Sequence, residues 1–226
     1  MSENLILGIS GLAGTGKDSV CDVLVNNFGY IKIALADPMK RFCMEIFNWS
    51  PEILWGPSEL RSQPDTRYPV PHDDGTVEYL TSRKALQELG TEWARSCYQD
   101  VWIDYAMRIA EKLNTSRRRY YTDDIYDHFF RAYYPDEGIS KEYSETGRKG
   151  VVISDCRFKN EILAIQKNGG KVIRIKRPGY EKPRWNHRSE TEQMTIPDNQ
   201  FDYVLENDGT LEDLVVKAGH MLEKLV

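Results

Sequence analysis

A glycine-rich turn near the N-terminus restricts the possible folds of this chain more than any other segment. The run from Gly11 to Lys17 has the pattern G-x-x-x-x-G-K, follows the apolar stretch Leu5–Ser10 and precedes an amphipathic segment. Between a strand and a helix, such glycines let the backbone curl until consecutive N–H groups and the helix N-terminus point at an anion. The sequence therefore predicts a phosphate-binding loop, with Lys17 against the outer phosphates of a nucleoside triphosphate.

The residue after the lysine departs from the generic pattern. A hydroxyl residue that binds Mg²⁺ is expected there, but the chain has Asp18, followed by Ser19. A carboxylate is a good oxygen ligand for Mg²⁺, so Asp18 could hold the cation directly or through water. We expect Asp18 and Ser19 to contribute to metal binding. The predicted nucleotide-binding residues of the loop are Gly11, Ala13, Gly14, Thr15, Gly16, Lys17, Asp18 and Ser19.

Short apolar runs alternate with helical patterns along the rest of the chain. This alternation predicts an α/β fold with a mainly parallel sheet flanked by helices, as in P-loop NTPases. The predicted strands after Leu5–Ser10 are 31–36, 151–154, 171–176 and 203–205. Inward faces are expected at Val20, Val23, Leu24 and Phe28, at Met39, Phe42, Cys43 and Ile46, at Phe158, Ile162 and Ile165, and at Leu211, Leu214, Val215, Ala218 and Leu222.

Two long segments lack such periodicity. Residues 50–81 contain five prolines, and the pattern predicts an irregular loop. Residues 114–150 are polar and rich in tyrosine, which is compatible with a partner surface or a basic, aromatic nucleic-acid patch. Acidic residues between Asp123 and Glu137 dilute the positive charge, so a solvated insertion is the favoured interpretation. Between the two segments, Leu86, Leu89 and Trp93 are expected to pack in the core.

Charged residues follow the later strands. Asp155 and Arg157 come directly after the apolar run 151–154, at the strand edge where open α/β sheets bind ligands. Asp155 could contribute to the Mg²⁺ shell and Arg157 could bridge two reacting phosphates, whereas an ordinary surface ion pair is the alternative. Residues 177–200 carry Arg184 and Arg188 without a hydrophobic period, which predicts a lid that closes over phosphates, with a solvated connection as the alternative.

Composition limits the classes of function. The net charge of −5 gives no general reason to expect nucleic-acid binding, and the hydrophobic fraction of 40% is ordinary for a globular protein. The four cysteines form no C-x-x-C pair, which argues against a zinc site or a disulfide framework. The acidic N-terminus lacks a signal-peptide pattern and no window has the length of a membrane span, so we expect a cytoplasmic protein without membrane contact.

Other classes of phosphate-loop protein fit the sequence less well. A GTPase would normally carry an N-K-x-D motif, and the chain has none. A helicase or a transporter ATPase would be longer than these 226 residues. The small size and the late arginine-rich segment favour a kinase that acts on a small molecule.

An ordered set of motifs resembles one family over most of the chain. The motifs are Gly16-Lys17-Asp18-Ser19, Leu35-Ala36-Asp37-Pro38-Met39-Lys40, Arg83 with the run 86–93, Ser154-Asp155-Cys156-Arg157 with Asn160-Glu161, Ile175-Lys176-Arg177-Pro178-Gly179 and Glu206-Asn207-Asp208-Gly209-Thr210. In order and spacing the set resembles the bacteriophage deoxynucleoside monophosphate kinases, which also place Asp after the lysine. Segments 50–81 and 114–150 lie outside the resemblance.

The resemblance implies transfer of the γ-phosphoryl group of ATP to a deoxynucleoside monophosphate, with Mg²⁺. It implies one P-loop kinase domain over 1–226, with a monophosphate-binding region at 50–113, an insertion at 114–150 and a lid at 177–200. The implied catalytic residues are Lys17, Asp18, Asp155, Arg157, Arg184 and Arg188, with Asp18, Ser19 and Asp155 at the metal. Asn207, Gly209 and Thr210 would lie near the adenine. The implied acceptor-binding residues are Asp37, Lys40, Arg83, Gln87, Gly90, Thr91, Arg95, Trp102 and Arg157.

Several alternatives stay open at this point. The acceptor could be another small molecule, similar to phosphomevalonate or dephospho-coenzyme A. The chain could also be a regulatory module that binds ATP without turnover. A homodimer is plausible for the family, and a phage-encoded enzyme would act in the host cytoplasm.

Overall fold

The computed structural model describes residues 5–115, 149–182 and 188–225. In chain order, its helices and strands are β1 (Leu5–Ser10), α1 (Lys17–Phe28), β2 (Tyr30–Ala34), α2 (Asp37–Phe47), α3 (Pro51–Trp55), β3 (Pro64–Pro71), β4 (Val77–Thr81), α4 (Ser82–Gln87), α5 (Ala94–Cys97), α6 (Val101–Thr115), β5 (Gly150–Cys156), α7 (Lys159–Lys167), β6 (Lys171–Lys176), α8 (Arg188–Thr195), β7 (Tyr203–Glu206) and α9 (Leu211–Leu225). Short 3₁₀ turns cover Leu60–Ser62 and Asp198–Gln200, and a π-helical segment covers Glu88–Trp93. The described residues form two compact units, one made of those within 1–35 and 102–226 and the other of 36–101.

The first unit is built around a parallel sheet. Within the described residues the strand order is β2-β5-β1-β6-β7, and every pairing in this sheet is parallel. Because β1 is central and β5 and β6 flank it, the chain segments that leave these three strands emerge side by side at one edge. The predicted α/β fold with a mainly parallel sheet is confirmed.

Alternating apolar residues bury both faces of this sheet. Leu7, Ile9 and Val152 pack with α1 and α9 on one face. Val151 and Ile153 pack with α6 and α7 on the other. Successive side chains of a strand point to opposite faces, so a strand that is apolar throughout requires helices on both sides. The five predicted strand segments all fall on strands of this sheet.

The second unit has its own small core. Cys43, Trp49, Leu54 and Ala85 are buried together, and the ring of Tyr68 meets those of Phe47 and Trp49 edge to face. Here the prediction of an irregular loop over 50–81 was wrong, because β3 and β4 pair as an antiparallel hairpin. Among the described residues this sheet has only two strands, so each strand has an outer edge whose backbone groups face no further strand. Proline, which lacks a backbone N–H, is tolerated in such edge strands, as at Pro64, Pro69 and Pro71.

Two predicted helix faces need correction. On α2, Met39 and Cys43 are buried as expected, but Phe42 and Ile46 are half-exposed. The side chain of Trp93 is 62% exposed, so its predicted place in the core was wrong, whereas Leu86 and Leu89 pack against the core of this unit. The π-helical segment explains the difference, because its wider turn shifts the phase of the residues after Glu88 relative to a regular helix.

The predictions for the later helices hold with two exceptions. Phe158, Ile162 and Ile165 are buried, whereas Leu211 in the first turn of α9 is exposed and Met221, absent from the predicted face, is fully buried. Residues 177–200, interpreted as an aperiodic lid, contain the helix α8. The insertion at 114–150 lies almost entirely outside the described residues, as does Arg184. None of the described helices combines the length and the apolar character that a membrane crossing requires.

Candidate active site at the phosphate-binding loop

The glycine-rich loop connects β1 to α1 and has the backbone geometry that anion binding requires. Gly14 and Gly16 have backbone φ angles of 88° and 91°, values that residues with a Cβ rarely adopt. A Cβ on Gly16 would also collide with the side-chain amide of Asn207, which would have to move. The loop leads directly into α1, whose N-terminus begins at Lys17. This arrangement fits the phosphates of a nucleotide.

Leu12 provides the acceptor that organises the loop internally. Its carbonyl oxygen accepts from Oγ1 of Thr15 at 2.9 Å and from Nζ of Lys17 at 3.2 Å. Asn207, which follows β7, donates from Nδ2 to the carbonyl oxygen of Thr15 at 2.9 Å. The side chain predicted near the adenine therefore contacts the loop itself. Thr210 is engaged in capping α9, where its hydroxyl accepts from the backbone N–H of Asp213.

Lys17, Asp155 and Arg157 form one charged group beside the loop. Nζ of Lys17 lies 3.6 Å from Oδ1 of Asp155, and Nη2 of Arg157 lies 3.3 Å from the same oxygen. The parallel pairing of β1 with β5 causes this proximity, since it brings the end of β5 next to Ser10 and the loop. Asp155 has φ of 63°, in the left-handed region that few residues other than glycine adopt.

Two glutamates hold Arg157 in place. Glu161 accepts from the backbone N–H of Arg157 at 2.7 Å and from that of Phe158 at 3.0 Å, which fixes the start of α7. Glu190 accepts from Nη1 of Arg157 at 2.7 Å. Burial disfavours the charge of the guanidinium, but Asp155 and Glu190 outweigh this effect and raise the pKa of Arg157 above its usual value. Arg157 therefore keeps its positive charge beside the loop.

Sequence reasoning missed the contribution of α8. Glu190 also accepts from the backbone N–H of Ala13 at 3.1 Å, and Gln193 accepts from that of Gly11 at 3.1 Å. Both side chains are buried, although α8 contains almost no apolar residue. A hydrophobic periodicity could not reveal this helix, because polar contacts hold its inner face.

The predicted metal ligands lie on two elements, Asp18 and Ser19 on α1 and Asp155 on β5. Asp18 is exposed, and its Oδ1 accepts from Nζ of Lys32 at 3.0 Å. Ser19 is also exposed, one residue further along α1. The described part of the chain holds no group of three or more acidic, histidine or cysteine residues suited to a metal. Because Mg²⁺ commonly binds one or two carboxylates together with substrate phosphates, Asp155 beside the loop fits such a role.

Arg188, at the start of α8, is described although Arg184 is not. Nε of Arg188 lies 3.6 Å from Oε2 of Glu192, and the guanidinium lies over the ring of Phe158. Trp102, predicted as a face for the base, is partly buried against the core of the first unit. The roles assigned to these two residues stay predictions.

The other predicted acceptor-binding residues lie in the second unit. Nε and Nη2 of Arg83 donate to the hydroxyls of Ser62 and Ser58 at 2.9 and 2.8 Å. This arginine and Gln87 lie on α4, Gly90 and Thr91 on the π-helical segment, and Arg95 on α5. Gly90 is closely approached, since a Cβ there would lie 2.6 Å from the sulfur of Met39.

A second group of predicted residues in this unit surrounds a tryptophan. Nε1 of Trp55 donates to Oδ1 of Asp37 at 3.0 Å, and Nζ of Lys40 lies 5.3 Å from the centre of the Trp55 ring. Trp55 is not among the residues predicted from the sequence. The unit also has an open, mostly apolar groove of about 580 Å³, whose lining includes Phe42, Phe47 and Trp93 but none of the predicted acceptor-binding residues.

Comparisons with known proteins agree on one family. A model of the deoxynucleotide monophosphate kinase family matches residues 118–218. A protein of Acanthamoeba polyphaga mimivirus, provisionally named a deoxynucleotide monophosphate kinase, is 32% identical over 209 residues, covering 92% of this chain and 91% of that protein. The deoxynucleotide monophosphate kinase of Enterobacteria phage T4 is 23% identical over 256 residues, covering 97% of this chain and 99% of that enzyme.

Solved structures resemble the chain only distantly. Shikimate kinase from Aquifex aeolicus matches with a TM-score of 0.43 and 12% identity, over 98% of this chain and 96% of that one. Dephospho-CoA kinase from Campylobacter jejuni matches with a TM-score of 0.41 and 15% identity, over 97% and 96%. At these TM-scores the likeness carries no functional inference. The mimivirus relative, similar over nearly its whole length, establishes that the chain belongs to the deoxynucleotide monophosphate kinase family.

Proposed function

We propose that this protein transfers the γ-phosphoryl group of ATP to deoxynucleoside monophosphates in the presence of Mg²⁺, supplying diphosphates for DNA synthesis. The observation that carries the proposal is the group formed by Lys17, Asp155 and Arg157 beside a glycine loop, in a chain of this family. Phosphoryl transfer needs positioning and positive charge more than covalent chemistry, and these residues offer both.

In this proposal, different residues of the first unit bind the phosphates of ATP, stabilise the charge of the transition state and bind Mg²⁺. The loop N–H groups and the start of α1 bind the phosphates, and Lys17 neutralises the outer ones. Arg157 presents a fixed cation to the charge that develops during transfer. Asp155 would hold Mg²⁺, assisted through water by Asp18 and Ser19, and the cation would supply charge neutralisation when bound.

The second unit provides the acceptor-binding residues in this proposal. Arg83 suits the 5′-phosphate because a guanidinium can bind two phosphate oxygens at once, and Ser58 and Ser62 already orient it. Asp37, Lys40, Gln87, Gly90, Thr91 and Arg95 complete the set on the same unit. Trp102 belongs to the first unit, and its role as a face for the base stays a prediction from the resemblance. Which bases are accepted depends on a few hydrogen bonds to the base.

The deciding experiment is an ADP-release assay with ATP and Mg²⁺. The acceptors are dAMP, dGMP, dCMP, dTMP and the matching ribonucleotides. We expect turnover with deoxy forms, and its loss in Lys17→Ala. Lys167→Ala is the matched control, since Lys167 is an exposed lysine at the end of α7.

Each outcome has a distinct meaning. ADP release that requires a non-nucleotide acceptor would replace the substrate class and leave the kinase assignment intact. ATP binding that depends on Lys17, without ADP release for any acceptor, would identify a regulatory module. A cytoplasmic location and a homodimer complete the proposal, and sedimentation of the purified protein tests the second.

A further inference from the structure

The helix α8 turns a polar face inward. Its side chains Ser189, Glu190 and Gln193 are 8%, 2% and 1% exposed. A buried carboxylate is costly unless it is paired and hydrogen-bonded, so the partners of Glu190 indicate what its burial achieves.

Both oxygens of Glu190 contact groups that belong to the candidate active site. Oε1 accepts from Nη1 of Arg157 at 2.7 Å, and Oε2 accepts from the backbone N–H of Ala13 at 3.1 Å. One carboxylate therefore joins the predicted transition-state cation to the phosphate-binding loop, 177 residues away in the chain. Gln193 adds a neutral contact of the same kind to Gly11.

The strand β6 anchors the helix that carries Glu190. Nη1 of Arg174 donates to the carbonyl oxygen of Ile196 and Nη2 to that of Gln193, both at 2.6 Å. Arg174 also pairs with Asp198 at 2.9 Å, and its guanidinium lies over the ring of Phe201. The C-terminal end of α8 is thus attached to the sheet, so the position of Glu190 is set by the same sheet that sets the loop and Arg157.

We propose that Glu190 is a positioning residue for phosphoryl transfer, holding the guanidinium of Arg157 at a fixed place and angle relative to the loop. This inference rests on the proposed function. Nη2 donates to Asp155 and Nη1 donates to Glu190, so a carboxylate holds each of the two terminal nitrogens of the guanidinium. Without Glu190, Arg157 keeps its charge and Asp155 but loses this orientation.

The substitution Glu190→Gln tests the proposal with little change in shape. Glutamine replaces one of the two carboxylate oxygens with an NH₂ donor, so it cannot accept at both of the positions where Oε1 and Oε2 of Glu190 meet Arg157 and Ala13. We expect kcat to fall about 10- to 100-fold, as misplacement of a catalytic group does, while the Kd for ATP changes less than about threefold. Glu223→Gln, on the exposed side of α9, makes the same chemical change and should match the wild type.

A double mutant separates positioning from general support of the fold. If Glu190 acts through Arg157, then Glu190→Gln should cost less than about threefold in kcat once Arg157→Ala is present. Multiplication of the two separate losses would overturn the proposal. Tenfold tighter ATP binding by Glu190→Gln with unchanged kcat would also overturn it, since Glu190 would then be a competitor of the phosphates.

Chemical modification tests the geometry without turnover. We expect phenylglyoxal to modify Arg157 several-fold faster in Glu190→Gln than in the wild type or in Glu223→Gln, as followed by peptide mass spectrometry. An unchanged rate would overturn the inference even if the kinase assay succeeds. Faster modification in a protein that phosphorylates no nucleotide would support the positioning contact and refute only the proposed function. If Glu190→Gln does not fold, Glu190→Asp replaces it in this experiment. Aspartate keeps the negative charge on a shorter side chain, and the rate of modification of Arg157 is again compared with that in the wild type.

Discussion

Replacing Asp155 with asparagine separates charge from backbone conformation at the centre of the candidate site. Asp155 occupies the left-handed region with φ of 63°, which asparagine also tolerates. The substitution therefore keeps the end of β5 in place. It removes the negative charge that lies 3.6 Å from Nζ of Lys17 and 3.3 Å from Nη2 of Arg157.

The expected loss of stability is small. At an effective dielectric constant of about 20, charges this far apart attract by roughly 5 kcal/mol per pair before solvation. The side chain of Asp155 is 32% exposed, so water and side-chain entropy reduce the net value to about 1 kcal/mol per pair or less. We expect Asp155→Asn to lower the free energy of unfolding by about 1–2 kcal/mol, or the melting temperature by about 3–6 °C.

The expected loss of activity is much larger. Under the proposed function, Asp155 orients Lys17 and Arg157 and contributes to the Mg²⁺ shell, so we expect kcat to fall about 100-fold. The assay measures initial rates of ADP release with a deoxynucleoside monophosphate across a Mg²⁺ titration, beside thermal unfolding of the same samples. Asp155→Ala should be as inactive and less stable by a further 1 kcal/mol or so, because alanine disfavours the left-handed region.

Three results would refute this reasoning. A kcat of Asp155→Asn within threefold of the wild type would remove Asp155 from the catalytic group. A loss of stability above about 4 kcal/mol would mean that solvent screens these ion pairs far less than their exposure indicates. Equal stability of the alanine and asparagine variants would refute the conformational argument.

Three further predictions address the acceptor, the lid and the pH dependence of stability. Arg83→Ala should raise the KM for the monophosphate at least tenfold more than the KM for ATP, and steady-state kinetics showing the reverse would misplace Arg83. Arg188→Ala should lower kcat with little effect on either KM, and an unchanged kcat would exclude Arg188 from the closed state. Burial opposes the charge of Asp202, but hydrogen bonds from Gln166 and the backbone of Val172 and the ion pair with Lys171 lower its pKa. Asp202→Asn should therefore lower the free energy of unfolding, measured in urea at pH 7, by about 1–2 kcal/mol. This difference between variant and wild type should disappear below about pH 4, where the carboxylate of Asp202 becomes protonated. A difference that stays constant with pH would contradict the lowered pKa.

The sequence predicted the elements whose stability is local. The loop from Gly11 to Lys17, the strand β5 that carries Asp155 and the cap of α9 at Thr210 each depend on residues close together in the chain. Glycine conformation, runs of apolar residues and capping side chains act within a few positions, so their patterns are visible without a fold.

Other features escaped prediction because their partners are distant or their helices irregular. The π-helical segment moved Trp93 out of the core, since one wider turn changes the phase of every residue after it. The hairpin of β3 and β4 was hidden by its prolines. Glu190 carried no apolar signal, because its burial depends on charge and hydrogen bonds.

The sequence by itself determined a phosphate-binding loop, a parallel α/β sheet and a charged pair, Asp155 and Arg157, at the end of a strand. The tertiary structure alone decided which groups meet there. The strand order brings β5 beside β1, and α8 returns Glu190 to Ala13 across 177 residues of sequence. Local periodicity indicates which side chains are buried. The partner of a buried charge depends on the strand order, because the strand order decides which distant segments become neighbours.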